Sequence, residues 1–271
     1  METFVPSGLR ATGDDATIAK EASLYAQGGA HLIISLAKKY REDLLIVAIA
    51  PLTPLAVALR VDNESSLEQV GGLFIQGQGR IEDGILLPDK AAFNLSEDME
   101  SAEFVFKTLQ SKMPFSLLGK HAAYRVNLTR DDVVKWDETI YPGGVDIGTI
   151  AENVKGSLEV FRCGNPDLFY KLYPVPEVLR GVEGDGWFES LDVLSHPYDP
   201  LLCVLLYEPS LFDIVIYGAH RFVGMTGEHH GVPDSEAVHR YLVGVIATEC
   251  ACIGRFKAAW ACGPRVRGKP A

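Results

Sequence analysis

Ala92-Phe93-Asn94-Leu95-Ser96-Glu97-Asp98-Met99-Glu100-Ser101-Ala102-Glu103-Phe104-Val105-Phe106 is the stretch on which the reading of this chain turns. From Asp98 onward it predicts a helix that runs to Gln110, with Asp98 placed to cap the N-terminus. A short strand is expected just after it, at residues 114–118, and an apolar run at residues 71–75 precedes it. Working outward, residues 44–49 form another apolar run, short enough for a buried parallel strand. Residues 52–59 follow as a helix, with Pro54 tolerated in its first turn. Leu24, Ala26, Leu32, Ile33, Leu36 and Ala37 recur at helical spacing across residues 23–40. Strands alternating with helices predict an α/β fold with an open, mostly parallel sheet flanked by helices.

Beyond Asp131 the pattern loosens. Residues 154–161 and 201–207 are helical or buried, 213–217 a strand, and 235–256 a long amphipathic closing helix. Residues 1–22 are irregular, and one domain over residues 1–271 is the expectation for a chain of this length.

Composition narrows the class of partner. A formal net charge of −11 argues against a nucleic acid polymer, whose phosphates need a basic face, and favours a small-molecule ligand. With 47% hydrophobic and 23% charged residues the chain has enough apolar material for a substantial core. No apolar run approaches the roughly 20 residues of a membrane helix, and no signal peptide is visible, so a cytoplasmic protein is expected. The five cysteines show no metal-ligand spacing and are expected to be buried free thiols.

Four blocks carry a family resemblance. Ala92 to Phe106 is similar to a Glu-Phe-Asn followed by Asp-Pro-Glu-Ala-Ala and a helix, and Pro114 to Gly119 to the strand after it. Residues 44–59 match a strand, a Gly-Pro-Leu-Thr-Asn turn and a helix, and Ile75-Gln76-Gly77 stands where a strand ends in Met-Gly-Gly. Tyr198-Asp199-Pro200-Leu201-Leu202, with Glu208-Pro209-Ser210, looks like a His-Asp-Pro-Leu-Ala and Asp-Pro-Ser pattern. Taken in their order along the chain, the blocks resemble the inosine/uridine-preferring nucleoside hydrolases.

The resemblance implies cleavage of an N-glycosidic bond through an oxocarbenium-like transition state. It also implies a calcium ion on the ribose diol, held by aspartates of an N-terminal strand and by the aspartate matching Asp199, with a backbone carbonyl from the position of Ile49. That N-terminal strand motif has no full counterpart here. Thr12-Gly13-Asp14-Asp15-Ala16 echoes its second half, with a solvated loop or helix cap as the other role. The family's leading glutamate is Ala92, its asparagine eight residues before Asn94 is Leu86, and its histidine before the metal aspartate is Tyr198. Calcium is therefore not expected as a cofactor, the ligand set being incomplete.

Asn94, Gln76, Leu86, Ala92 and Trp187 are the candidate substrate-binding residues. Asp199, His196 and Tyr198 are the candidate catalytic ones, and Asp199 is the candidate metal ligand. His196 stands two residues before Tyr198, with a surface or capping role as its alternative. Asp199 has helix capping as its alternative. Glu183 to Phe188 is expected to be a flexible loop lining or covering a pocket or an ordinary surface turn, and Glu228-His229-His230 a solvated loop, with metal ligation or proton shuttling as its alternative.

In the family, strands preceding residues 44–49 cover that segment. Without them the strand becomes an edge, so either the first 40 residues or a second copy of the chain must cover it, and a homodimer is the expectation. Three functions fit: a nucleoside hydrolase-like enzyme acting on a nucleoside-like or less polar molecule without calcium, a non-catalytic relative that binds a ligand or protein partner, and a repurposed metal-independent enzyme of secondary metabolism.

Overall fold

The computed structural model describes residues 15–62, 65–140, 150–181 and 184–245; for residues 15–26, 136–140 and 150–151 only the backbone is described. Chain contacts divide it into two compact units, one drawn from residues 1–121 with Asp213–Gly231, the other from Ala122–Phe212 with residues 232–271.

The first unit opens with helix α1 (Asp15–Tyr40) and strand β1 (Leu45–Ala48), then helix α2 (Thr53–Val61) and strand β2 (Gly72–Gln76). A hairpin of β3 (Gln78–Glu82) and β4 (Ile85–Asp89) leads to the short helix α3 (Phe93–Ser96), helix α4 (Met99–Leu109) and strand β5 (Phe115–Leu118). Lys120 and His121 begin the short helix α5 (Lys120–Ala123). After the second unit's long excursion come β8 (Val215–Tyr217) and β9 (His220–Val223). The sheet runs in the order β1-β2-β5-β9-β8. Its first four strands are parallel, with Leu45 opposite Gly72, Leu73 opposite Phe115 and Ser116 opposite Arg221. β8 joins antiparallel. The parallel sheet and flanking helices expected from the apolar runs are present.

The central strands β2 and β5 are largely buried, with helices packed on them. Leu73, Ile75, Phe115 and Leu117 pack with Leu55 and Ala56 of α2 and with Val105, Phe106 and Leu109 of α4. Phe106 meets Phe115 edge to face with ring centroids 5.3 Å apart. Each such side chain fully removed from water contributes about 1.5–3 kcal/mol. The cap expected at Asp98 is present: its carboxylate accepts from the Ser101 backbone N–H at 3.1 Å and from the Thr53 hydroxyl, so it also ties α4 to α2. Burial works to raise the Asp98 carboxyl, but these hydrogen bonds and the Arg60 charge outweigh it and hold it below the usual range. Gly119 is required where β5 ends, since a Cβ there would collide with the Gly224 carbonyl.

β1 lies at the sheet edge, as expected, with Leu45 43% and Ile49 46% exposed. The hairpin turns on Asp83 (φ 50°) and Gly84 (φ 81°), the left-handed pair that a two-residue loop needs.

The second unit is mainly helical. β6 (Leu128–Thr129) pairs antiparallel with β7 (Val193–Ser195), and between them lie α6 (Arg130–Ile140), α7 (Ile150–Gly164), α8 (Pro166–Leu172) and the short α9 (Gly186–Glu189). α10 (Tyr198–Tyr207) and a helix over residues 235–245 follow. Its core is aromatic, with Phe169 stacked on Tyr173 at 5.0 Å and edge-on to Trp187 at 5.6 Å. Buried Asp132 accepts from the Thr129 N–H (2.8 Å) and hydroxyl (2.7 Å), and lies 2.8 Å from His239 Nε2, fastening the 235–245 helix to the start of α6.

One expectation needs correction. Cys163 and Cys203 are free thiols, but both are exposed, because they fall on the outward faces of α7 and α10. Cys250, Cys252 and Cys262 lie outside the described residues, as does the closing helix beyond residue 245. Among the described residues no helix is long and apolar enough to cross a membrane.

Candidate functional site

In open α/β sheets ligands bind beyond the carboxyl ends of the strands. In the first unit that end holds Gln76 at the close of β2, Gly119 and Lys120 after β5, and Gly224 after β9. Asn94, on α3, donates its amide N–H to the Gln76 side-chain oxygen at 2.7 Å. Two of the predicted binding residues thus meet. The pairing follows from the fold: β2 delivers Gln76 to its rim, and Ala92 leads the chain into the short helix that presents Asn94.

Leu86 and Ala92 are both buried, at 1% and 7% exposure. Leu86 belongs to β4, and its backbone N–H and carbonyl are both held by the Gln110 side chain, at 2.9 and 3.2 Å. Ile49 follows β1 and is partly exposed. Lys120 Nζ approaches the Ala91 carbonyl at 3.4 Å. Burial and the neighbouring Lys120 charge push the His121 imidazole below its ordinary value.

In the second unit Tyr124, His196 and Tyr198 form one aromatic cluster. Tyr124 lies edge-on to His196 at 5.2 Å and to Tyr198 at 5.9 Å. Burial pushes the Tyr198 hydroxyl far above its usual range, and a hydrogen bond with Tyr124 adds to the effect. Burial lowers His196, partly offset by an N–H bond to the Val126 carbonyl, and Nδ1 is buried without a partner among the described residues. The neutral ring is favoured, leaving an unfilled acceptor.

Asp199 sits in the first turn of α10 but does not cap it: the cap position is Pro197, and no side-chain cap bond forms. The capping alternative is thereby corrected. Burial raises the Asp199 carboxyl; one turn on, burial and then the Asp199 charge raise the Cys203 thiol. No described residue gives Asp199 a hydrogen bond or ion pair. Asp132 shows the contrast. Burial works to raise it too, but its bonds to Thr129 and His239 prevail and hold it low.

Trp187 is not on an open loop. It is 2% exposed in α9, with Arg162 over its ring at 4.8 Å. Gly184 and Gly186 suggest a turn in the sequence, whereas packing on Phe169 draws the indole inward. Glu228 and His229 are exposed in the loop after β9. Asp14 and the side chain of Asp15 lie outside the described residues. Tyr124 and Lys120 were not singled out from sequence; the position of Lys120 directly after a strand-terminal glycine is the signal that marks it.

Calcium needs several oxygen ligands. Among the described residues no three His, Cys, Asp or Glu side chains come together to hold a metal, and Asp199 supplies one carboxylate alone. These residues do not fit a calcium site.

Comparison with known proteins places this geometry. The solved structure of the type III effector protein XopQ, complexed with adenosine diphosphate ribose, superposes with a TM-score of 0.62 at 22% identity, over 82% of this chain and 63% of that one. A purine-preferring ribonucleoside hydrolase from Gardnerella vaginalis gives 0.54 at 16% identity, over 82% of this chain and 66% of that one. Both show the fold. Probable uridine nucleosidase 2 from Arabidopsis thaliana is 25% identical over 186 residues, 69% of this chain. The chain spans about half (48%) the length of that relative and under two thirds of each solved one. The sequence profile described as inosine-uridine preferring nucleoside hydrolase matches residues 3–262. The chain belongs to the inosine-uridine preferring nucleoside hydrolase family.

Proposed function

We propose that the chain binds a nucleoside-like molecule and acts on its N-glycosidic bond without calcium. In the first unit Asn94, oriented by Gln76, is the residue assigned to ribose hydroxyls; in the second unit Asp199 is the residue assigned to proton supply. The observation that carries the reading is the state of Asp199: a partly buried carboxyl, raised by that burial, with no described hydrogen-bond or ion-pair partner. Asp98 and Asp132 serve the fold and are held low by their partners, whereas a raised, unpaired carboxyl is suited to general acid work. Family membership and the ribosyl ligand carried by XopQ support the ligand class.

The test is release of base from inosine and from uridine, comparing the protein with Asp199→Asn. Turnover that falls at least about 100-fold in the variant supports the reading. Binding without turnover favours a second reading, a non-catalytic ligand-binding relative. Buried, apolar Leu86 and Ala92, where the family carries polar residues, favour that alternative.

We propose further that the exposed edge of β1 pairs with a second copy. Light scattering at micromolar concentration tests this, and a monomeric mass contradicts it.

A further inference from the structure

Lys120 has no ion-pair partner among the described residues. It stands just beyond the carboxyl end of β5, and its amine reaches the Ala91 carbonyl at 3.4 Å, beside the turn that presents Asn94. The residue after Ala91 is Ala92, where the family sequence that this stretch resembles has glutamate, so the carboxylate that would neutralise this amine and repel an anion is absent. Asp89 accepts from the Ala91 N–H at 2.8 Å and Asp98 caps α4, and neither forms an ion pair with Lys120. The rest of this rim includes several glycines. Gly119 lies against the Gly224 carbonyl, and the His121 ring packs beside Gly227, 3.7 Å from where its Cβ would stand. Glu228 is the one carboxylate of the 224–231 loop, and it is exposed. In a chain of net charge −11, an unpaired ammonium at the ligand-binding end of a sheet is an electrostatic feature aimed at an anion.

We infer that the carboxyl edge of this sheet receives a phosphorylated nucleoside, with Lys120 as the cationic contact to its phosphate. This rests on the nucleoside-like reading above and names the substrate class of the same site. Lysine acts as a compact point charge with three donors, and a charge-assisted bond to a phosphate oxygen is stronger than the amine's present bond to a neutral carbonyl.

Calorimetric titration of inosine against inosine 5′-monophosphate, and of uridine against uridine 5′-monophosphate, tests it on the full chain. One nucleotide should bind at least tenfold tighter than its nucleoside at low salt. Lys120→Gln should erase that advantage while leaving nucleoside affinity unchanged, and Lys120→Arg should retain it. Inorganic phosphate alone should compete only at far higher concentration; if it competes as well as the nucleotide, the site is a free phosphate site and the inference fails. Equal affinities, or an advantage that survives Lys120→Gln, overturn the inference and leave the nucleoside reading standing. Failure of all four ligands to bind overturns both. Lys120 lies at the surface, so an unchanged melting temperature in both variants shows that any loss belongs to binding.

Discussion

The Asn94 amide and the Gln76 side-chain oxygen lie 2.7 Å apart, joining the end of β2 to the helix that follows the hairpin. Gln76 thereby fixes which face Asn94 presents. Gln76→Leu should weaken inosine binding through Asn94 while costing about 1 kcal/mol of stability, the worth of one hydrogen bond. Asn94→Ala should weaken it at least tenfold. Calorimetry and urea denaturation on both variants separate the two effects; unchanged binding in Asn94→Ala removes this residue from the site.

Asp199 gives a pH signature. Its folded value is raised by burial, so the acid form persists to higher pH than for an exposed carboxyl and is lost as pH rises through that value. The rate of base release should therefore fall on the alkaline side of this transition, and Asp199→Asn should flatten that limb. A profile with the same limb in the variant assigns the proton to another group.

His220 gives a stability signature of opposite chemistry. It is buried, and its Nδ1 accepts from the Phe115 N–H at 3.2 Å, so burial depresses its folded value. A depressed imidazole contributes stability that is present above its unfolded value of about 6.5 and is lost as pH falls through the folded one. Denaturation midpoints should drop between pH 7 and 5. His121 and His196 share the sign, so His220→Asn should reduce the slope without abolishing it.

Trp187 fills the aromatic core of the second unit under Arg162. Trp187→Ala should cost about 3–5 kcal/mol by leaving a cavity. Trp187→Phe should recover most of it. If Trp187→Ala leaves stability intact but destroys nucleoside binding, the indole contacts the ligand instead.

Much of the first unit was legible because buried parallel strands announce themselves as apolar runs. Leu73 to Ile75 and Phe115 to Leu118 are such runs, and the Asp98 cap stands plainly in front of its helix. The β3–β4 hairpin escaped because Gln78, Gly79 and Arg80 break the apolar pattern and Pro88 sits inside a strand; only Asp83-Gly84 marks its turn. In the second unit the strands β6 and β7 span two and three residues, too short for any periodicity. Trp187 misled because local glycines suggested a turn while long-range packing decided its place. The site was legible as separate residues. That Asn94 meets Gln76, and that Tyr124 joins Tyr198, depends on contacts between segments distant in sequence.

The nucleoside chemistry proposed for this chain does not use calcium. Base release from inosine and uridine, measured on chelator-treated protein and again as free calcium is restored, tests it most directly. One rate throughout is expected, at least about 100-fold lower in Asp199→Asn. A rate that vanishes in chelator and returns in proportion to calcium would contradict it.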